Sequence, residues 1–202
     1  MKNNIVKDTI SITLITLVAG LLLGLVHGVT AEPIAREQAR QKEEAYMAVF
    51  EDASGFEAAS EEQLKAVQEG ILADGFATST IDEVMIAQDE SGQELGYAFT
   101  VTNSEGYGGN ITFVMGVQDD GTLNGISILS ISETAGLGMQ ATQPEFQAQF
   151  AGKQVESFEY TKSGASADNQ IDALSGATIT TNAMTNGVNA GLDAFRIAKG
   201  GN

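Results

Sequence analysis

The sequence predicts an α+β fold: a single N-terminal transmembrane helix, then a domain in which helices pack on an antiparallel sheet. Three features support this prediction. An uncharged apolar segment occupies 9–31, four β-rich stretches follow one another over 81–131, and an amphipathic stretch closes the chain. Helices, then consecutive strands, then a last helix favour α+β over a doubly wound sheet. The 202 residues suffice for one domain with a buried core.

The apolar segment has the length and composition of a membrane anchor. Its central part, 10–29, is dominated by Ile, Leu and Val, and about 20 helical residues cross the hydrocarbon layer of a bilayer. A cleaved signal peptide is the alternative, since Val29-Thr30-Ala31 places small residues before a possible cut. Signal peptides have apolar regions of about 7–15 residues, so the longer segment favours a retained anchor.

The charges that flank the anchor predict its orientation. Lys2 and Lys7 precede it, whereas Glu32 follows it directly. The positive-inside rule therefore places the short N-terminus in the cytoplasm and the main domain outside the cytoplasmic membrane. The predicted parts are a cytoplasmic N-terminus, an anchor, a helical stalk with its lead-in, and the main domain, at 1–9, 10–31, 32–80 and 81–202.

Two helices are predicted between the anchor and the strands. Apolar residues recur at three- and four-residue steps over 33–50, which predicts a helix that continues from the anchor as a stalk. A shorter helix is predicted over 61–71, because Ser60 is suited to cap it and acidic residues follow in its first turn.

The middle of the chain is typical of an antiparallel sheet. Four short stretches are rich in Val, Ile, Thr, Phe and Tyr and are bounded by turn residues. Asp120-Gly121, between the last two, predicts a hairpin. The predicted strands are 81–88, 94–103, 111–118 and 122–131.

Three further elements are predicted after the fourth strand. Pro144 stands at the first position of one or two helical turns over 143–151. A strand is predicted over 155–161, and the closing helix over 181–199. The apolar face of that helix, which we expect to pack on the sheet, consists of Met184, Val188, Leu192 and Phe195.

Composition excludes several kinds of site. The absence of cysteine excludes disulfides, thiolate-held iron–sulfur clusters and thiol nucleophiles. The only histidine, His27, lies in the apolar segment, so the remainder holds neither a histidine metal cluster nor a Ser-His-Asp triad. We therefore expect no metal site and no residue that is catalytic by itself. A net charge of −17 without a basic stripe excludes nucleic-acid binding. The acidity indicates either a soluble surface or attraction of a positively charged partner.

One stretch near the C-terminus combines a hydroxyl group, small residues and a helix start. It runs Asp172-Ala173-Leu174-Ser175-Gly176-Ala177-Thr178. Gly176 and Ala177 leave the backbone uncovered, and first-turn N–H groups point outward, so a phosphate can approach Thr178 closely. A turn followed by a helix cap, without a ligand, is the alternative.

This stretch resembles the flavinylation motif of FMN-binding subunits in the Rnf and sodium-pumping NADH:quinone oxidoreductase families. In that motif an aspartate precedes Ser/Thr-Gly-Ala-Thr with two residues between them, and Asp172 and 175–178 match it. The resemblance implies that Thr178 carries FMN through a phosphoester bond. It also implies a separate flavin transferase that uses FAD as the donor, with Asp172 as its expected recognition residue. With no histidine to activate the hydroxyl, the chain is not expected to flavinylate itself.

A second glycine loop, after the fourth strand, matches the same family. In Ser132-Glu133-Thr134-Ala135-Gly136-Leu137-Gly138, two glycines bracket a leucine, and such a loop can approach a flat ring. A turn leaving the strand is the alternative. The loop resembles the family's Glu-Thr-x-Gly-Leu-Gly segment, which helps to form the flavin pocket. The predicted cofactor-binding residues are Thr178, Ser175, Gly176, Ala177, Thr180 and Thr181 near the phosphate, and Glu133, Thr134, Gly136, Leu137 and Gly138 near the isoalloxazine.

The resemblance also implies a function and partners. It is strongest to the G subunits of Rnf complexes, which implies a covalently flavinylated electron-transfer subunit of an ion-translocating ferredoxin:NAD+ oxidoreductase. Such a subunit relays electrons through FMN on the outer face of the membrane, beside other membrane subunits and an iron–sulfur subunit. Three alternatives remain: a C subunit of a sodium-translocating NADH:quinone oxidoreductase, a stand-alone extracytoplasmic flavin carrier, and a nonredox membrane-anchored binding module.

Overall fold

The computed structural model describes residues 2–200, and the side chains of 5–200. The chain divides into two units, 1–41 and 42–202. The first helix, α1 (Lys2–Val49), covers the predicted anchor and the predicted stalk and includes Pro33. The side chains of 5–29 are exposed. Among the helices described, α1 alone is long and apolar enough to cross a membrane.

The second unit is built on a five-stranded antiparallel sheet with neighbouring strands in chain order. All four predicted strands are confirmed, two of them with the predicted bounds, and the first of the four begins two residues earlier than predicted. The strands are β1 (Gly55–Ala58), β2 (Ser79–Gln88), β3 (Glu94–Asn103), β4 (Ile111–Gln118) and β5 (Leu123–Ser130). The sequence did not predict β1, a short edge strand that pairs with β2.

Two helices cover one face of the sheet and form the main core. They are α2 (Glu61–Ala73), capped by Ser60, and the closing helix α4 (Thr178–Ala198). Phe113 and Met115 of β4 are fully buried in the cluster that includes Val188. The closing helix approaches β4 closely because Gly187 and Gly191 carry no side chain. A Cβ on Gly191 would lie 2.0 Å from Met115 Sδ.

A second, smaller apolar cluster forms around the last turns of α1. Tyr46, Val49 and Phe50 pack with Ala98 and Val114. The Tyr46 hydroxyl donates to Glu83, which also pairs with Lys42. Burial and the neighbouring Glu83 carboxylate raise the pKa of Tyr46 far above its usual value. The sheet is therefore covered by apolar side chains on both faces.

The segment between β5 and α4 differs most from the sequence prediction. A 3-10 helix (Gly138–Thr142) precedes α3 (Pro144–Gln147), which is shorter than the predicted 143–151. Of the predicted strand 155–161, only β6 (Glu159–Thr161) forms, and it pairs in parallel with β7 (Gln170–Asp172), which the sequence did not predict. The closing helix begins at Thr178 rather than at 181. Three-residue strands show no periodicity of their own and form through their pairing.

Candidate cofactor-binding site

Thr178 is the first residue of α4, and the end of this helix is open. Ala177 occupies the N-cap position, and no side chain there bonds to the first-turn N–H groups. Gly176 turns the chain into the helix with a φ of +73°, a conformation that suits glycine. The first N–H groups of a helix have no partners within it and attract anions. Thr178, which is half-buried, therefore stands where a phosphate is favoured.

Hydrogen bonds within the protein hold the loop before Thr178. The Thr181 hydroxyl is buried; it accepts from Leu174 N at 3.0 Å and donates to Ala177 O at 3.0 Å. One threonine thus fixes both ends of the turn 174–177. This geometry leaves Ser175 and Gly176 exposed at the tip of the turn.

Asp172 lies at the end of β7 and is exposed. Its Oδ1 accepts from Ala165 N at 2.7 Å, which braces the loop between β6 and β7. Its own N–H donates to Gln149 Oε1 at 2.6 Å. Asp172 is therefore accessible to another protein and also orders the approach to Thr178.

Glu133 connects the second glycine loop to the Thr178 end of α4. It is 9% exposed, and its Oε2 accepts from the Thr180 hydroxyl at 3.0 Å. Its Oε1 accepts from Gly108 N at 3.1 Å. Gly138 lies against the same pair, because a Cβ there would be 2.5 Å from Thr180 Oγ1. One buried carboxylate thus joins the loops 106–109 and 132–138 to α4.

Leu137 brings the two predicted motifs into direct contact. The turn before it is fixed by Leu137 N donating to Thr134 O at 3.1 Å and by Gly136 with a φ of +75°. A Cβ on Gly176 would lie 3.1 Å from Leu137 Cδ2. The Leu137 side chain is still 42% exposed. It therefore offers an apolar surface beside the open end of α4.

A cavity of about 250 Å³ adjoins Thr178. Its lining residues are Lys162, Ala173, Leu174, Ser175, Gly176 and Thr178. A larger groove of about 1250 Å³ lies between α2 and the C-terminal part of α4. That groove begins at Asp193, roughly 22 Å along the helix from Thr178 at 1.5 Å per residue. The smaller cavity is the one that the motifs line.

The structure separates the predicted site residues into two groups. Ser175, Gly176, Thr134, Gly136 and Leu137 are exposed, and Thr178 is half-buried, so these six can touch a ligand. Thr180 and Thr181 are buried and use their hydroxyls within the protein. Two participants were missed by the sequence analysis. Gly108 lies between two of the predicted strands and was not among the predicted site residues, and Lys162 belongs to no motif.

Comparison with known proteins shows the family of the chain. The profile of the FMN-binding domain family matches residues 106–193, which include Glu133 and Thr178. The chain is 30% identical over 197 residues to the G subunit of the ion-translocating oxidoreductase complex of Methanosarcina acetivorans, covering 97% of both chains. The chain belongs to this family of G subunits. The family relationship and the apolar helix α1 make it a single-pass membrane protein.

Two further proteins are similar to this chain. The G subunit of the proton-translocating ferredoxin:NAD(+) oxidoreductase complex of Clostridium ljungdahlii is 28% identical over 201 residues, covering 99% of this chain and 96% of that protein. Among solved structures, Shewanella oneidensis NqrC is similar with a TM-score of 0.50 and 18% identity, over 75% of this chain and 73% of that one. This second likeness concerns the fold, and it confirms the predicted α+β class.

Proposed function

We propose that this chain is a flavin-carrying electron-transfer subunit of an Rnf-type ion-translocating ferredoxin:NAD+ oxidoreductase. FMN is esterified to Thr178, and the domain faces the outer side of the membrane. The observation that carries the proposal is the position of Thr178, at the open end of α4 and inside the FMN-binding domain match. The full-length similarity to subunits of such complexes supports the choice of complex.

The residues present fit a flavin phosphate on chemical grounds. The end of α4 offers N–H groups that no side chain caps. The lining of the adjoining cavity of about 250 Å³ includes two hydroxyl residues, Ser175 and Thr178, and one glycine, Gly176. The side chain of Leu137 supplies apolar surface for a flat ring beside them. The Thr181 hydroxyl holds the backbone of the turn before Thr178, and the Thr180 hydroxyl holds the Glu133 side chain. A bound phosphoester would therefore meet donors without displacing any buried contact.

Attachment requires another enzyme in this proposal, because the second unit contains no histidine that could activate the Thr178 hydroxyl. The only histidine of the chain is His27, within α1. In the proposed step the Thr178 Oγ attacks the riboflavin-side phosphorus of FAD. A new O–P bond forms, the pyrophosphate bond breaks, AMP leaves and the hydroxyl proton is released. Asp172, exposed at the end of β7, is the residue that we propose the transferase recognises.

FMN supplies one- and two-electron transfer when it is bound; the chain positions it. Glu133 and Gly138 hold the second glycine loop against α4, so that Leu137 stays beside Thr178. The proposed orientation rests on Lys2 and Lys7 before the apolar segment and Glu32 after it. A covalent bond outside the cell prevents loss of a cofactor that no cytosolic pool would replace.

Mass spectrometry of the full chain from its native membranes tests the proposal. We expect the peptide that contains Thr178 to carry the mass of one FMN less water, and yellow colour to remain with the denatured protein. Thr178→Ala should abolish both signals. Thr122→Ala, a half-buried threonine in a turn outside the site, is the matched control and should retain them. An unmodified peptide from the native host would instead favour the nonredox binding module.

Purification under mild conditions distinguishes the remaining alternatives. An Rnf subunit should copurify with membrane subunits and an iron–sulfur subunit. Copurification with quinone reductase subunits would identify a C subunit instead. A flavinylated chain that purifies alone would identify a stand-alone carrier.

A further inference from the structure

Lys162 differs from the other basic residues of the second unit in having no carboxylate partner. Among the residues described over 42–200, every other lysine and arginine forms an ion pair. These pairs are Lys42–Glu83, Lys65–Glu69, Lys153–Asp168, Arg196–Asp193 and Lys199–Asp119. In a chain with a net charge of −17, carboxylates are abundant. A lysine without one therefore stands out.

The parallel pairing of β6 and β7 places Lys162 beside the Thr178 loop. Thr161 is opposite Asp172 in the register, and Ala173 N donates to Thr161 O at 2.8 Å. Lys162 follows Thr161, just as Ala173 follows Asp172. Because parallel strands end at the same edge of their sheet, the segments that follow β6 and β7 leave this edge side by side. Lys162 therefore lines the cavity that Ser175, Gly176 and Thr178 also line.

We propose that the Lys162 ammonium is the counter-ion of the phosphoryl group esterified to Thr178. This inference rests on the proposed function and adds a residue that no motif contains. A phosphodiester carries one negative charge, which the acidic surface of this chain disfavours. The open end of α4 contributes only the partial charge of its N–H groups. A flexible lysine at the rim of the same cavity supplies the full positive charge that the phosphoryl oxygens require.

Competitive acetylation of the full chain in detergent measures this contact. The protein is produced with and without a flavin transferase, labelled briefly with acetic anhydride and analysed by peptide mass spectrometry. We expect Lys162 to react about two- to fivefold more slowly in the flavinylated protein, the range that an exposed ion pair gives. Lys65 and Lys153 are paired with carboxylates elsewhere in the protein, so each should react at the same rate in both samples.

Phosphorus NMR gives a second readout that does not depend on electron transfer. In the flavinylated protein, Lys162→Gln should shift the phosphodiester resonance, and Lys162→Arg should bring it back toward the wild-type position. Lys153→Gln is the matched control and should leave the resonance unchanged. Lys162 is exposed, so these variants should unfold at the wild-type temperature.

The outcomes separate this inference from the function on which it rests. If the native protein carries no flavin on Thr178, the proposed function fails. If the flavin is present but Lys162 is acetylated at the same rate in both samples, or Lys162→Gln leaves the resonance unmoved, Lys162 is not the counter-ion and the proposed function stands.

Discussion

The two ends of α4 differ in how far they are packed against the rest of the domain. At the first end, Thr178 follows an uncapped turn, and small or exposed residues leave the backbone open to a ligand. Toward the other end, Gly191 and Leu192 are buried, and the helix packs on the sheet and on α2. Buried polar groups follow the same division. Thr180 and Thr181 near the first end have hydrogen-bond partners, whereas Asp193 has an oxygen without one.

If Thr178 carries the flavin, as proposed, cavity size alone does not locate the site. The larger groove adjoins the packed end, where Phe76 and Ile197 line it. The smaller cavity adjoins the open end, where two hydroxyl residues, one glycine and Lys162 line it. A phosphate needs donors and a cation more than it needs volume. Substitutions at the first end should therefore affect flavin attachment, and those at the other end should affect stability.

The largest combined effect is expected for Glu133→Ala, which removes the link between the second glycine loop and α4. The Thr180 hydroxyl and Gly108 N–H lose their buried acceptor, at a cost of about 1–3 kcal/mol for the unsatisfied groups. Leu137 is then no longer held beside Thr178. We expect a lower unfolding temperature and a slower rate of flavin transfer to the folded protein. Thermal unfolding by circular dichroism and a timed transfer assay measure the two quantities.

Thr102→Val is a suitable control for Glu133→Ala, since it also removes a hydrogen-bonding group, but one on the sheet between Asp82 and Thr112. It should leave the flavin transfer rate unchanged. If the Glu133→Ala variant is flavinylated at the wild-type rate, the two motifs do not act as one site.

Gly191→Ala should have the opposite pattern: it should affect the packed end of α4, and hence stability, without affecting the open end. The added Cβ would lie 2.0 Å from Met115 Sδ in the core. Overpacking costs about 1–3 kcal/mol, and the better helix propensity of alanine returns up to about 1 kcal/mol. We expect a lower unfolding temperature but an unchanged extent of flavinylation in the folded fraction. Gly55→Ala, with nothing within 4 Å of its Cβ, is the control. Loss of flavinylation at full stability would contradict the division.

The sequence predicted best those elements whose sequence patterns lie within one short stretch of the chain. The strands β3 and β4 could be predicted with their bounds because alternation and turn residues lie in the same short stretch. By contrast, β1 and β7 have four and three residues and depend on pairing partners elsewhere in the chain. The early start of α4 was missed because Thr178 and Ile179 extend no apolar face, and the open turn at Gly176 sets the first residue instead.

The candidate site could be predicted as two motifs but not as one arrangement. Glu133 and Thr180 are 47 positions apart, and no local pattern indicates that they bond. Gly108 was overlooked for the same reason. Lys162 could not be predicted from the sequence, because a lysine without a carboxylate partner is recognised only once the ion pairs of the fold are known. The sequence motifs thus identified residues that match a family. The fold showed which of these residues keep the others in position.

The smallest effect is expected at Asp193, and it concerns stability and pH. Asp193 is 4% exposed; its Oδ1 accepts from Arg196 at 2.6 Å, and its Oδ2 has no partner. Burial raises the pKa of Asp193 above its usual value, with Asp74 adding to the effect and Arg196 opposing it. The folded state therefore holds the proton more tightly than the unfolded state. The stability from this group is complete below the unfolded pKa of about 3.9 and is lost as the pH rises through the folded pKa.

Asp193→Asn should remove this loss, because the amide is neutral at every pH and its oxygen can still accept from Arg196. We expect the variant to unfold at a slightly higher temperature than the wild type at pH 7. It should also show a smaller decrease in stability between about pH 4 and pH 7. Asp119→Asn, at an exposed carboxylate paired with Lys199, should give no such gain. A wild-type chain whose stability rises over this pH range, together with a destabilised Asp193→Asn, would show that the charged Arg196 pair outweighs burial. Flavinylation should be the same in both proteins, since Asp193 lies at the packed end of the helix.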